Sequence, residues 1–118
     1  MEGETLFSER ELYGRMLETF VYQELRRLGS HSDRPPRFSH FRDRDGAEVD
    51  IVIERVHRLT GVEVKAAATV TARDFRGLRR LKDAAGPAFA GGVVLYDGET
   101  QVPFGDDLYA VPIRTLWD

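Results

Sequence analysis

The 118-residue sequence contains no cysteine. That excludes a disulfide scaffold, a thiolate zinc site, an iron–sulfur cluster and a cysteine nucleophile. It has no long apolar run, which excludes a membrane-spanning helix, and its start, MEGETLFSER, lacks the basic stretch and apolar core of a signal peptide. The cytoplasm is the expected location. Positive charge is not in excess. The formal net charge is −3 and the isoelectric point about 5.6, so no basic field covers the whole surface for nucleic acid. Lysine is scarce: of 17 basic residues only Lys65 and Lys82 are lysines. No G-x-x-x-x-G-K-[ST] loop is present, so ATP cannot be held in that way, and no G-x-S-x-G elbow supports a hydrolase triad. His31, His40 and His57 lack metal-ligand spacing.

What remains is a composition of 42% apolar and 31% charged residues, that of one soluble globular domain over 1–118 with its core from about residue 10. Ser8 to Leu28 carries Leu12, Met16, Leu17, Phe20, Val21, Leu25 and Leu28 at spacings of three and four. This predicts an amphipathic helix, started by the Ser8–Glu11 capping spacing and stopped at Gly29. A proline-containing loop follows. Phe38–Arg42 is a short strand and DRDG (43–46) a turn. Ala47–Glu54 alternates, with Val49, Ile51 and Ile53 on one face, and Thr60–Ala66 alternates again. The two predict an antiparallel hairpin. Ala72–Ala85 is a second helix ending at Gly86-Pro87, and GGVVLY (91–96) a strand buried on both faces. Tyr109–Ile113 is a last short strand, with Pro103 and Pro112 favouring a sheet edge. The order predicts an α/β sandwich around a mixed central sheet. Trp117 is expected to anchor the tail on the core.

Charge within the two alternating strands forms the sharpest constellation. Glu63 and Lys65 fall on one strand face, and a register that sets Asp50 opposite Glu63 brings three charged groups together. Cross-strand neighbours lie ~5 Å apart, a spacing at which two carboxylates can share a divalent ion. A lysine beside them can serve an attacking water or neutralise a phosphate. The alternative is an exposed ion pair worth ~0–1 kcal/mol. On the first helix, Glu24 falls within the apolar arc and Glu18 at its edge, next to Gly14. Glu24 either completes an acidic cluster or pairs with a nearby arginine. Gly14 is expected to let the helix pack closely on the sheet.

The segments GRMLETFVYQEL (14–25), FRDRDGAEVDIVIE (41–54) and GVEVKAAATV (61–70), with DFRGLRRL (74–81) and GVVLYDGE (92–99), resemble the PD-(D/E)xK nuclease-like superfamily. More narrowly they resemble the C-terminal domain of unknown function on many prokaryotic AAA+ type ATPases. The resemblance runs from about residue 10 to the end. It implies a restriction-endonuclease-like α-β-β-β-α-β sandwich, the order already reached from the pattern. It also implies that Asp50 and Glu63 hold Mg²⁺ or Mn²⁺, that Lys65 serves the nucleophilic water, and that Glu18 is the acidic residue of the first helix. Glu48-Val49 stands before Asp50, where the motif's name has a proline.

Arg73, Arg76 and Arg80 share one face of the second helix, with Arg79 beside it, and are either phosphate contacts or a solvated face. Arg42 and Arg44 flank the DRDG turn; they either steer a phosphodiester or pair with Asp43 and Asp45. Two functions follow. The first is a Mg²⁺-dependent nuclease-like domain acting on DNA. The alternative is a non-catalytic docking module of an AAA+ type ATPase, the ATPase lying on another or the parent chain.

Overall fold

The computed structural model describes residues 9–30 and 34–117, with side chains from 14–30 and 34–116. Helix α1 spans Glu9–Gly29. The Ser8–Glu11 cap lies outside the described residues. Val21 is completely buried against the sheet, and Leu17, Tyr22 and Leu25 pack around it. Leu17, Val21 and Leu25 stand four residues apart, so they form a single row. Met16 and Phe20 belong to the neighbouring row and stay 62% and 40% exposed. The apolar stripe is therefore wider than the sheet it covers. The helix does end at Gly29, but not by a left-handed glycine. The Ser30 N–H donates to the carbonyls of Arg26 (3.0 Å) and Arg27 (3.2 Å), and its hydroxyl donates to Arg27 (2.7 Å). Gly14 does not serve close packing: a Cβ there meets nothing within 4 Å among the described residues. Gly14→Ala is accordingly expected to stabilise the protein by ~0.5–1 kcal/mol, the helix-propensity difference, read as a rise in the urea midpoint.

Six strands form one sheet: β1 (Arg37–Arg42), β2 (Glu48–Arg55), β3 (Arg58–Lys65), β4 (Phe89–Tyr96), β5 (Val102–Pro103) and β6 (Leu108–Pro112). Their spatial order is β1-β2-β3-β4-β6-β5. β1–β2, β2–β3 and β5–β6 pair antiparallel; β3–β4 and β4–β6 pair parallel. The mixed sheet matches the expectation. The last strand is not the edge, however. β6 lies inside, parallel to β4, and the two-residue β5 containing Pro103 takes the edge. A proline lacks the N–H that a central strand needs, which suits β5 to that place.

Two turns shape the β1–β2–β3 meander. Asp43 Oδ1 accepts the N–H groups of Asp45 (3.0 Å) and Ala47 (2.9 Å), and Gly46 adopts φ +87°. This explains the DRDG signal. Val56 and His57 close β2 to β3 with φ of +52° and +64°, a left-handed pair that is costly for a β-branched valine.

The simple alternation expected in β2 fails at a bulge. β1 residues Ser39 and Phe41 face Val52 and Val49, so Asp50 and Ile51 together oppose His40. The extra residue reverses the parity of β2. Val49 and Val52 consequently pack on one face, while Ile51 and Ile53 pack on the other.

Those faces carry the two halves of the core. On one, Val49, Val52, Val94, Tyr96 and Leu108 meet Phe75, Leu78 and Leu81 of the second helical segment. On the other, Ile51, Val62 and Leu95 meet Val21 of α1 and Ile113. The second segment is not one helix over 72–85. A 3₁₀ turn, Ala72–Phe75, precedes α2 (Arg76–Ala85). Helix α2 lies very close to the sheet because its floor is glycine: Gly61 of β3 pairs with Gly92 of β4 beneath Leu78 and Leu81. Ile113–Trp117 forms a final 3₁₀ turn whose Ile113 and Leu116 join the α1-side core. The Trp117 side chain lies outside the described residues. No helix among the described residues is long and apolar enough to cross a membrane.

Candidate active site

The backbone pairing of β2 with β3 stops at Ile51–Val62. One step further, side chains take over. The Asp50 N–H donates to Glu63 Oε1 (2.7 Å), and the Val64 N–H donates to Asp50 Oδ2 (2.9 Å). Each carboxylate thus satisfies a backbone donor of the opposite strand, just beyond the last β2–β3 backbone pair. Asp50 stands opposite Glu63, as the strand register requires.

The two carboxyls also interact electrostatically. Burial, and then the charge of Asp50, push the Glu63 carboxyl up to about 8, against the lowering effect of the bond from the Asp50 N–H; the charge of Glu18 adds to the rise. Glu18 reaches this place from α1. Its own carboxyl is raised by burial and by the charges of Asp50 and Glu48, against an opposing pull from Arg15. Glu18, Asp50 and Glu63 therefore form one electrostatically linked acidic group, contributed by three elements.

Lys65 approaches Glu63 differently. Its Nζ donates to Asp74 Oδ2 at 2.6 Å, with both side chains less than a third exposed. The same Asp74 oxygen accepts the Thr71 N–H (2.8 Å). Burial pushes the Asp74 carboxyl up, but the bonds from Lys65 and Thr71 outweigh it and leave it below the usual carboxylate range. A cleft of about 610 Å³ opens here, lined by Glu48, Glu63, Lys65, Arg73, Asp74 and Arg76, with Gly77 at its base. Asp50 is not part of its lining. Glu63 thus stands at the junction, touching Asp50 on one side and facing the cleft with Lys65 on the other.

The remaining nominated residues separate clearly. Arg73 and Arg76 stand on the cleft and make no ion pair among the described residues. Arg80 does not line it. Its Nε donates to Asp43 Oδ2 (2.7 Å) and its Nη2 to Asp45, so it clasps α2 to the β1–β2 turn. The partner of Asp43 and Asp45 is therefore Arg80, not Arg42 or Arg44. Arg42 lies 3.8 Å from Glu48. Glu24 pairs with Arg27 on its own helix at 2.8 Å. Asp74 was not singled out by sequence reasoning, although Thr71-x-x-Asp74 before an apolar helix is a capping spacing that points to it.

Among the described residues, no three His, Asp or Glu side chains form a ready-made metal cage. The donor set nevertheless suits a hard divalent cation. Asp50 and Glu63 offer carboxylate oxygens, and Mg²⁺ is commonly held by one or two carboxylates with water filling the rest. Two half-buried carboxyls held side by side are also what such a cation would relieve.

Fold and site together define an α/β sandwich domain with a half-buried carboxylate pair at a strand break and a lysine–aspartate pair in the adjoining cleft. The chain belongs to the family described as a domain of unknown function (DUF4143), whose sequence pattern it matches over residues 13–116. No curated protein and no solved structure matches it.

Proposed function

We propose that this is a PD-(D/E)xK nuclease-like domain that hydrolyses phosphodiester bonds, with DNA as substrate. The observation that carries the reading is the crosswise Asp50–Glu63 pair, with Lys65 two residues further along the same strand. Asp50 and Glu63 would hold Mg²⁺ or Mn²⁺, with Glu18 adding charge from α1. The cation would supply a more acidic water and charge neutralisation at the phosphate. Water oxygen bonds to phosphorus as its proton passes to solvent, one ester P–O bond breaks, and the departing alkoxide takes up a proton from solvent. Lys65 offers its ammonium to the phosphate or the attacking water. Arg73 and Arg76, which line the cleft, would hold flanking phosphates. Arg80 has no part in this, because Asp43 and Asp45 occupy it.

Calorimetric titration of Mn²⁺ into the wild-type protein and Asp50→Ala tests the carboxylate pair. Saturable binding that disappears in the variant is the expected result. Lys65→Ala is expected to lower Mn²⁺-dependent cleavage by ~10²–10⁴-fold while binding Mn²⁺ and melting near wild type. Equal cleavage by that variant defeats the assignment.

A second reading, docking onto an AAA+ type ATPase domain, draws on a different observation. Met16 and Phe20 are exposed on α1 beside a shallow apolar groove that also includes Leu17. Capture of such a domain that survives Asp50→Ala and fails in Met16→Glu would favour it.

A further inference from the structure

Lysine is a flexible point charge on a four-carbon stem, so its position in a site must be set by something else. Here Lys65 ends β3, and the chain beyond it, Ala66–Val70, has no regular structure. Asp74 supplies the missing constraint. Its carboxylate oxygen takes the Lys65 ammonium at 2.6 Å and the Thr71 N–H at 2.8 Å. The Asp74 N–H in turn donates to the Thr71 carbonyl at 3.0 Å. The next residue, Phe75, is completely buried and stacks on Phe104, with ring centroids 4.6 Å apart. Asp74 therefore stands on a fixed base, and Lys65 is held against that base rather than against Glu63.

We propose that Asp74 is a positioning residue, fixing the Lys65 ammonium at the mouth of the cleft so that its remaining donors meet the substrate phosphate. This rests on the nuclease reading for its purpose, but the pairing can be tested separately. A purely structural role for Asp74 would need only the Thr71 bond, which an asparagine oxygen also accepts. The ion pair goes beyond that need. It engages one of only two lysines in the chain, in a site whose other cations are arginines. An ammonium has three donors, so one given to Asp74 leaves two for a ligand.

The two lysines make the experiment direct. Acylation of the whole protein by a small amine-reactive ester, followed by mass spectrometry, reports Lys65 with Lys82 as internal reference. In Asp74→Ala and Asp74→Asn, Lys65 is expected to react about fivefold faster relative to Lys82, as the loss of a partly buried ion pair would give. Cleavage of supercoiled plasmid and of labelled duplex and single-stranded oligonucleotides with Mn²⁺ supplies the second readout. Asp74→Asn is expected to lower kcat about tenfold with KM nearly unchanged, Asp74→Glu to recover part of it, and melting temperature to stay close to wild type. Unchanged Lys65 reactivity overturns the proposal. So does a faster Asp74→Asn enzyme, which would make Asp74 a restraint, or a loss of activity that follows loss of stability across the variants. If Lys65→Ala abolishes cleavage and Asp74→Asn does not alter it, the positioning role fails and the nuclease reading stands. If the wild-type protein cleaves none of these substrates, that reading fails, and Lys65 reactivity alone decides whether Asp74 fixes the lysine.

Discussion

Gly77→Ala is expected to destabilise the protein by ~3 kcal/mol or more. Gly77 is the second residue of α2 and is buried. A Cβ there would sit 2.7 Å from the Glu48 carbonyl carbon, closer still to its oxygen, and 3.4 Å from the Glu48 nitrogen. These are backbone atoms of the first residue of β2, paired with Arg42 of β1, so they cannot turn aside as a side chain would. The helix must lift instead. Lifting it would loosen Leu78 and Leu81 from the Gly61–Gly92 floor and displace Arg76 from the cleft. The sign is diagnostic, because Gly→Ala within a helix ordinarily stabilises. Urea unfolding followed by circular dichroism, beside Gly14→Ala as the contrasting case, measures it. A loss below ~1 kcal/mol would mean that helix and strand do not approach so closely.

That contact also marks where the sequence stops being legible. Periodicity located both helices and the strands β1 to β4, because burying one face imposes a period of 3.6 or 2 on the side chains. It did not reveal the close approach of α2. A glycine in a helical stretch looks like a propensity defect unless its neighbour in space is known. The same pattern attributed close packing to Gly14, where there is none among the described residues, and was silent at Gly77, where it is severe. The β2 bulge was hidden for a related reason. Val49, Ile51 and Ile53 alternate perfectly in sequence, and only the offset pairing with β1 shows that Val49 faces α2 while Ile51 faces α1. Likewise β6 carries the prolines of an edge strand nearby, yet the shorter β5 shields it.

Much of the site was visible because its chemistry uses residue types that stand out. A rare lysine two residues from a glutamate, and an aspartate on the preceding strand, were sufficient to nominate Asp50, Glu63 and Lys65. Their juxtaposition followed from hairpin register. What register could not give was the division of the site: Asp50 answers Glu63 across the strand break, while Lys65 answers Asp74. Nor could helical spacing distinguish Arg80 from Arg76. Arg80 stands one turn after Arg76, but the β1–β2 turn meets α2 at Arg80 and offers it Asp43 and Asp45. Charge on a helix face becomes a ligand site only where the opposing element leaves it without a partner.

Glu63→Gln is expected to make the metal-free protein more stable at pH 8 and above, by a few kcal/mol, while abolishing Mn²⁺ binding. The Glu63 carboxyl is pushed up to about 8, chiefly by burial and then by the charge of Asp50. The unfolded chain releases that proton near 4.5. Between these values the folded state holds a proton that the unfolded state does not, so stability falls as pH rises, by up to ~1.4 kcal/mol per pH unit. The contribution is fully present below about 4.5 and is lost as pH climbs through about 8. Glu18 is raised and acts in the same sense. Asp43 and Asp74 are lowered, so their contribution fails at the acid end instead. The wild-type stability curve should therefore slope down between about pH 4.5 and about pH 8 and level off above. Glutamine removes the ionisation, while its carbonyl still accepts the Asp50 N–H and its amide can donate to the Asp50 carboxylate. That slope should flatten. Urea unfolding of both proteins from pH 5 to pH 9 in the presence of a chelator reads the difference, and parallel curves would show that Glu63 is not strained by its neighbours. Added Mn²⁺ should stabilise only the wild-type protein, and more strongly as pH rises, because the cation takes the place of the proton that the carboxylate pair otherwise retains.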